Sequence, residues 1–162
     1  MEDTSSRPIA PTIALATIVA GTLDITDACV YFGLTKGAPP ERIFQSVASG
    51  LLGKAAYAGG AATAALGLFL HYGIMAVMVA VYVLAARRLP ILTRRPVVMG
   101  LGYGLATYVV MNFVVAPLSR AVPRGGRFVL AAFINGLAAH LLLVGLAIAM
   151  IAAWSARRTD AA

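Results

Sequence analysis

AATAALGLFLHYGIMAVMVAVYVLAA, residues 61–86, contains no charged side chain. A helix in a soluble core keeps a polar face, and this stretch has none. An apolar run of about 18 residues or more is long enough to cross the hydrocarbon of a bilayer. Charge-free runs recur from Val97 to Ser119 and from Phe128 to Ala156. Only 12% of the 162 residues are charged and 60% are hydrophobic, against about 25% charged in an ordinary soluble domain. Mean hydropathy is +0.87.

Four spans follow, over residues 13–32, 61–86, 97–118 and 128–154. Every backbone polar group in lipid must be paired within the chain, and segments of this length achieve that as α-helices. The expected fold is therefore an all-α polytopic membrane protein with four transmembrane helices in one bundle. Residues 1–12 and 155–162 form tails, and 13–154 a single domain. The first span follows a mixed-charge start, MEDTSSRP, with no small-residue cleavage site, and is read as a membrane helix rather than a signal peptide.

The connection after the first span is long. Its core, PPERIFQSVASGLLGKAAYAG, opens with proline and glutamate, both suited to a helix start. Ile43, Val47 and Leu51 recur every four residues with Phe44 and Leu52 beside them, which predicts a short amphipathic interfacial helix over residues 40–56.

The net charge is +7. The basic residues do not form a nucleic-acid patch, because they sit at span ends: KGAPPER, ARRLPILTRRP, SRAVPRGGR and SARR. There they meet anionic lipid headgroups and bias orientation. With the N-terminus cytoplasmic, seven basic residues lie inside and six outside; the compact ARRLPILTRRP loop tips the expectation towards both termini in the cytoplasm. Cys29 is the only cysteine, so no internal disulfide forms.

Each span carries small residues every fourth position, leading to a polar side chain. The first has Ala16, Ala20 and Asp24 with Gly21 nearby; the second, Thr63, Gly67 and His71; the third, Gly100, Gly104, Tyr108 and Asn112; the fourth, Ala132, Gly136 and His140. Small residues at this spacing let helices approach closely, so Gly21, Gly67, Gly100, Gly104 and Gly136 are read as packing positions. The matched second and fourth spans suggest two parallel helical hairpins.

Asp24 and Asp27 are the costly residues. An aspartate mid-span disfavours insertion by about 2.5–3.5 kcal/mol, against a gain of about 0.3–0.6 for a large aliphatic. Separated by about 60° around their helix, both can face the bundle interior, with His71, His140 and Asn112 as expected partners. A carboxylate beside an imidazole can hold a proton on either group. The candidate site is thus a proton or ion cluster of Asp24, Asp27, His71, His140 and Asn112. The bland reading is interhelical hydrogen bonding, to which Asn112 taken alone and Asn135 are assigned.

No metal site is expected, since neither helix carries a second histidine at ligand spacing. A haem b held by His71 and His140, with Gly67 and Gly136 clearing the porphyrin, is the cofactor alternative. Phosphate-loop, nucleophile-elbow and dinucleotide motifs are absent; GLGYGLA lies within a span with no preceding strand and is helix packing.

GLFLHYGIMAVMVAVYVLAARRLP, MGLGYGLATYVVMNFVVAPLSRA and INGLAAHLLLVGLAI together resemble the YagU-like family of uncharacterised bacterial inner-membrane proteins, over about the last 100 residues. The first 60, with the aspartates, depart from it. The resemblance implies a multi-pass bacterial inner-membrane protein and supplies no reaction. The expected role is small-solute, ion or proton transport or sensing, with a homodimer enclosing the path. The competing readings are a redox or metal module and a scaffold subunit of a membrane complex.

Overall fold

The four charge-poor runs satisfy their backbones as helices, and the chain is an all-α bundle. The computed structural model describes residues 9–121 and 129–160. The first eight residues with Arg7, the segment holding Arg124, Arg127 and the expected span start at Phe128, and the last two residues of the tail lie outside the described residues.

Helix α1 (Ile9–Lys36) starts a turn earlier than its apolar pattern, with Pro11 in the first turn, where no backbone donor is lost. It ends at Gly37, whose φ of 63° is the left-handed cap that glycine adopts without strain. Helix α2 (Pro40–Leu52) has proline at its first position and Glu41 in its first turn. A tight turn over Gly53–Ala58 leads into α3 (Gly60–Arg88). After a single helical turn at Ile91–Arg94 come α4 (Pro96–Leu118) and α5 (Leu130–Arg158). The helices α1, α3, α4 and α5 are long and apolar enough to cross a membrane.

Both later helices contain wider, π-type turns, over Met111–Val115 in α4 and Ala139–Leu146 in α5. The first has a local cause. Pro117 lacks an N–H, and its ring would clash with the carbonyl four residues back, so the ladder opens just before it.

Helix α1 packs between α3 and α5, and α4 packs against α5. The α4–α5 seam brings backbone against backbone: a Cβ on Gly104 would collide with the His140 carbonyl, and one on Gly145 with Gly100 and Gly104. Helix α4 reaches α3 through Tyr103, whose hydroxyl donates to the Met78 carbonyl at 2.7 Å, and through the Tyr82–Tyr103 ring pair. The core between them holds Ala16, Ala20, Met75, Val79, Val144 and Ile148. Large apolar side chains cover the outside, among them Phe69 (75% exposed), Phe113 (71%) and Leu118 (83%). A water-soluble monomer rarely exposes so much apolar surface. Hydrocarbon is the matching solvent, and the protein is an integral, multi-pass membrane protein.

Helix α2 differs from its sequence pattern in the face it buries. Ile43, Gln45, Ala48 and Ser49 turn inward, while Leu51 and Leu52 are exposed. The reason is the approach to α3, where Gly67 lies against the Phe44 carbonyl and the Ala48 backbone. Only small residues allow that distance. The loop after α4 is tied to α2 by the Arg120 N–H donating to the Gly50 carbonyl at 2.8 Å.

Basic residues cap both ends of the bundle. Arg87, Arg88, Arg94, Arg95, Arg157 and Arg158 share the end where α1 begins; Lys36, Arg42, Lys54 and Arg120 share the end that carries α2. The Tyr82 hydroxyl donates to the Leu92 carbonyl at 3.0 Å and pins the loop of the first end to α3.

The glycine seam makes a direct prediction. Gly104→Ala and Gly145→Ala should each cost about 1–3 kcal/mol, the usual range for overpacking, and lower the midpoint of thermal unfolding in detergent by several degrees. Gly73→Ala and Gly102→Ala add a methyl to open space and should leave that midpoint unchanged or slightly raised. Equal losses at all four positions would contradict the seam.

Candidate functional site

Three helices each contribute an ionisable group to one level of the interior. Asp24 comes from α1, half-buried, because the small residues Ala16, Ala20 and Gly21 draw this face of α1 inward. It lies within electrostatic range of His140 on α5, His71 on α3 and Asp27 one turn along its own helix. No hydrogen bond to Asp24 is found among the described residues.

His71 is buried, with Nε2 2.8 Å from the Gly21 carbonyl. A carbonyl only accepts, so this nitrogen carries a proton, and Nδ1 keeps the lone pair when the ring is neutral. Gly21 thus serves twice: its carbonyl receives the histidine, and its missing side chain leaves room for the Tyr72 ring. Tyr72 also meets Thr22 through their hydroxyls at 2.8 Å. His140 uses Nδ1, donating to the Gly136 carbonyl of its own helix at 2.9 Å. Tyr108 of α4 packs edge-on against that imidazole, with centroids 5.3 Å apart.

Asp27 is partnered by Asn135, the residue read as an interhelical hydrogen-bonding group, rather than by His71, His140 or Asn112. Asn135 Nδ2 donates to Asp27 Oδ2 at 2.7 Å, joining α5 to α1. Antiparallel register explains the pair: moving from Asp24 to Asp27 on α1 corresponds to moving back from His140 to Asn135 on α5. The sequence holds that relation only once the neighbouring helices are known. Three polar side chains were missed. Thr12 and Ser155 meet at 2.6 Å near the arginine end. Thr17, two turns before Asp24 on the same face, is buried with its hydroxyl unpartnered among the described residues. α1 therefore carries Thr12 and Thr17 in addition to the Asp24 and Asp27 that its sequence placed towards the interior.

Asn112 does not join the cluster. It is exposed, and its Nδ2 donates to the Tyr108 carbonyl at 2.9 Å within its own helix. It sits where the helix begins to widen, over Met111–Val115.

Of the remaining packing positions, Gly67 meets α2 and Gly136 meets the Tyr108 ring at 3.5 Å. The same contacts decide the haem question for this packing. The space expected above Gly67 is filled by α2 backbone, that above Gly136 by an aromatic ring, and His71 Nε2 is bonded to Gly21. Bis-histidine haem does not fit this arrangement. Among the described residues, no three His, Cys, Asp or Glu side chains converge as a metal-binding group.

Comparison with family models, curated proteins and solved structures returns no match to this chain.

Chemically, a carboxylate within electrostatic range of two imidazoles gives this level of the bundle three groups able to hold a proton, while Asp27–Asn135 joins α1 to α5. A double-mutant cycle on Asp27→Leu and Asn135→Leu should return a coupling of about 0.6 kcal/mol, and at most about 1.7, as for other intramembrane hydrogen bonds. Reversible unfolding in bicelles measures it; zero coupling would remove the pair from the packing account.

Proposed function

We propose that this protein moves protons or small cations through its interior, with Asp24 as the central acceptor and His71 and His140 as relays. The observation that carries the reading is that Asp24 lies within electrostatic range of both histidines, each on a different helix. Intramembrane ionisable groups are costly and mark ion and proton pathways more often than packing contacts. The polar line along α1 supports it, because Thr17 and the Thr12–Ser155 pair extend from Asp24 towards the arginine end, and Asp27–Asn135 extends towards the other.

In this reading the arginine end is cytoplasmic, which places both termini inside. By sequence that side carries seven basic residues against six on the other, and the compact ARRLPILTRRP loop tips the balance. The resemblance to the YagU-like family is in keeping with a bacterial inner membrane. The competing reading is helix packing alone, favoured by the fact that both histidines bond to backbone carbonyls.

Flux into proteoliposomes separates the two. With an internal pH-sensitive dye and an imposed potential, wild-type vesicles should acidify and Asp24→Asn vesicles should not, while circular dichroism of the two proteins stays the same. His140→Gln should slow the flux without abolishing it. Wild-type vesicles that behave like empty ones, or an Asp24→Asn protein that transports normally, would remove the proposal.

A further inference from the structure

A second polar site lies far from the Asp24 cluster, at the α2 end. A cleft of about 390 Å³ opens between the start of α2 and the tight turn before α3, lined by Glu41, Arg42, Gln45, Tyr57 and Gly60. Three features make it more than a surface dent. Gln45 is only 3% exposed, and its Nε2 donates to the Gly60 carbonyl at 3.1 Å and to Glu41 Oε1 at 3.4 Å, which fixes the cleft floor. Arg42 is laid over the Tyr57 ring at 4.3 Å and bonded to the Tyr57 carbonyl, which aims its guanidinium while engaging one of its five N–H donors. Glu41 and Arg42 are neighbours on a helix and so diverge; neither is in an ion pair among the described residues. The cleft thus presents a fixed cation and a separate anion.

That pattern complements a zwitterion whose anionic and ammonium ends are a few bonds apart. Position selects the source. Helix α2 exposes Leu51 and Leu52 beside the apolar wall of the bundle, which sets it at the level of lipid headgroups. We propose that this cleft binds the phosphoethanolamine headgroup of a membrane phospholipid. Arg42 pairs with the phosphate, and Glu41 accepts N–H bonds from the ammonium. The Gln45 amide holds Glu41 in place. Acyl chains run down the α2–α3 surface past Leu51. A choline headgroup has no N–H for Glu41, and a glycerol headgroup has no ammonium, so both are discriminated against.

The test uses the full chain in nanodiscs made from equal parts of phosphatidylethanolamine, phosphatidylcholine and phosphatidylglycerol, with retained lipid counted by native mass spectrometry. Wild type should retain phosphatidylethanolamine in preference to the other two. Arg42→Gln and Glu41→Gln should each reduce that preference about tenfold, the effect of losing one charge-assisted hydrogen bond. Lys54→Gln, an equal loss of charge outside the cleft, should leave it unchanged. Both cleft residues are exposed, so folding is expected to survive, and Arg42→Lys should restore part of the preference. Equal retention of phosphatidylcholine, or phosphatidylglycerol retention that ignores Glu41→Gln, would overturn the headgroup assignment. Displacement by free phosphoethanolamine at the lipid's own concentration would overturn the lipid source.

Discussion

The contact on which the architecture depends is the meeting of α4 and α5 through Gly100, Gly104 and Gly145. No side chain separates the two backbones there. In a bilayer the hydrophobic effect does not drive helices together, because lipid tails are as apolar as leucine, so close packing has to supply the attraction. Gly104 rests against the backbone at His140 and so fixes the height of that histidine. From α5 the constraint passes to α1 through Asn135 and Asp27, and from α1 to α3 through Gly21 and His71. A packing requirement thus becomes the alignment of three ionisable side chains.

The interior is economical with its polar groups. Tyr82 and Tyr103 each spend a hydroxyl on a carbonyl of a neighbouring segment, and Asn135 spends its amide on a carboxylate. Asp24 is different. Among the described residues it has no hydrogen-bond partner, although it lies within electrostatic range of two histidines, and each histidine donates a ring N–H to a backbone carbonyl. A group arranged only for adhesion would be expected to close such contacts, as Asp27 does. Thr17 shares that openness on the same face of α1.

Helix α2 shows the same physics at the rim. Its amphipathic pattern announced an interfacial helix, yet the face it turns inward was chosen by the need to bring Phe44 and Ala48 up to Gly67. That rotation leaves Leu51 and Leu52 outward and sets Glu41 and Arg42 at a cleft mouth.

Residue type and spacing alone determined the membrane class, the number of spans and the short helix after the first span, because each follows from local chemistry: uncharged length, helix-start residues and amphipathic spacing; of the glycine seam, Gly100 and Gly104 were legible and Gly145 was not. The presence of Asp24, Asp27, His71 and His140 as costly interior groups was equally legible. Their partnerships were not. Asn135 pairs with Asp27 only because α1 and α5 are antiparallel neighbours. Asn112 drops out because it is exposed and spends its amide within its own helix. The room imagined above Gly67 belongs to α2. Helix order, register and local rewinding arise from contacts between segments distant in sequence, and those contacts exist only once the bundle has assembled.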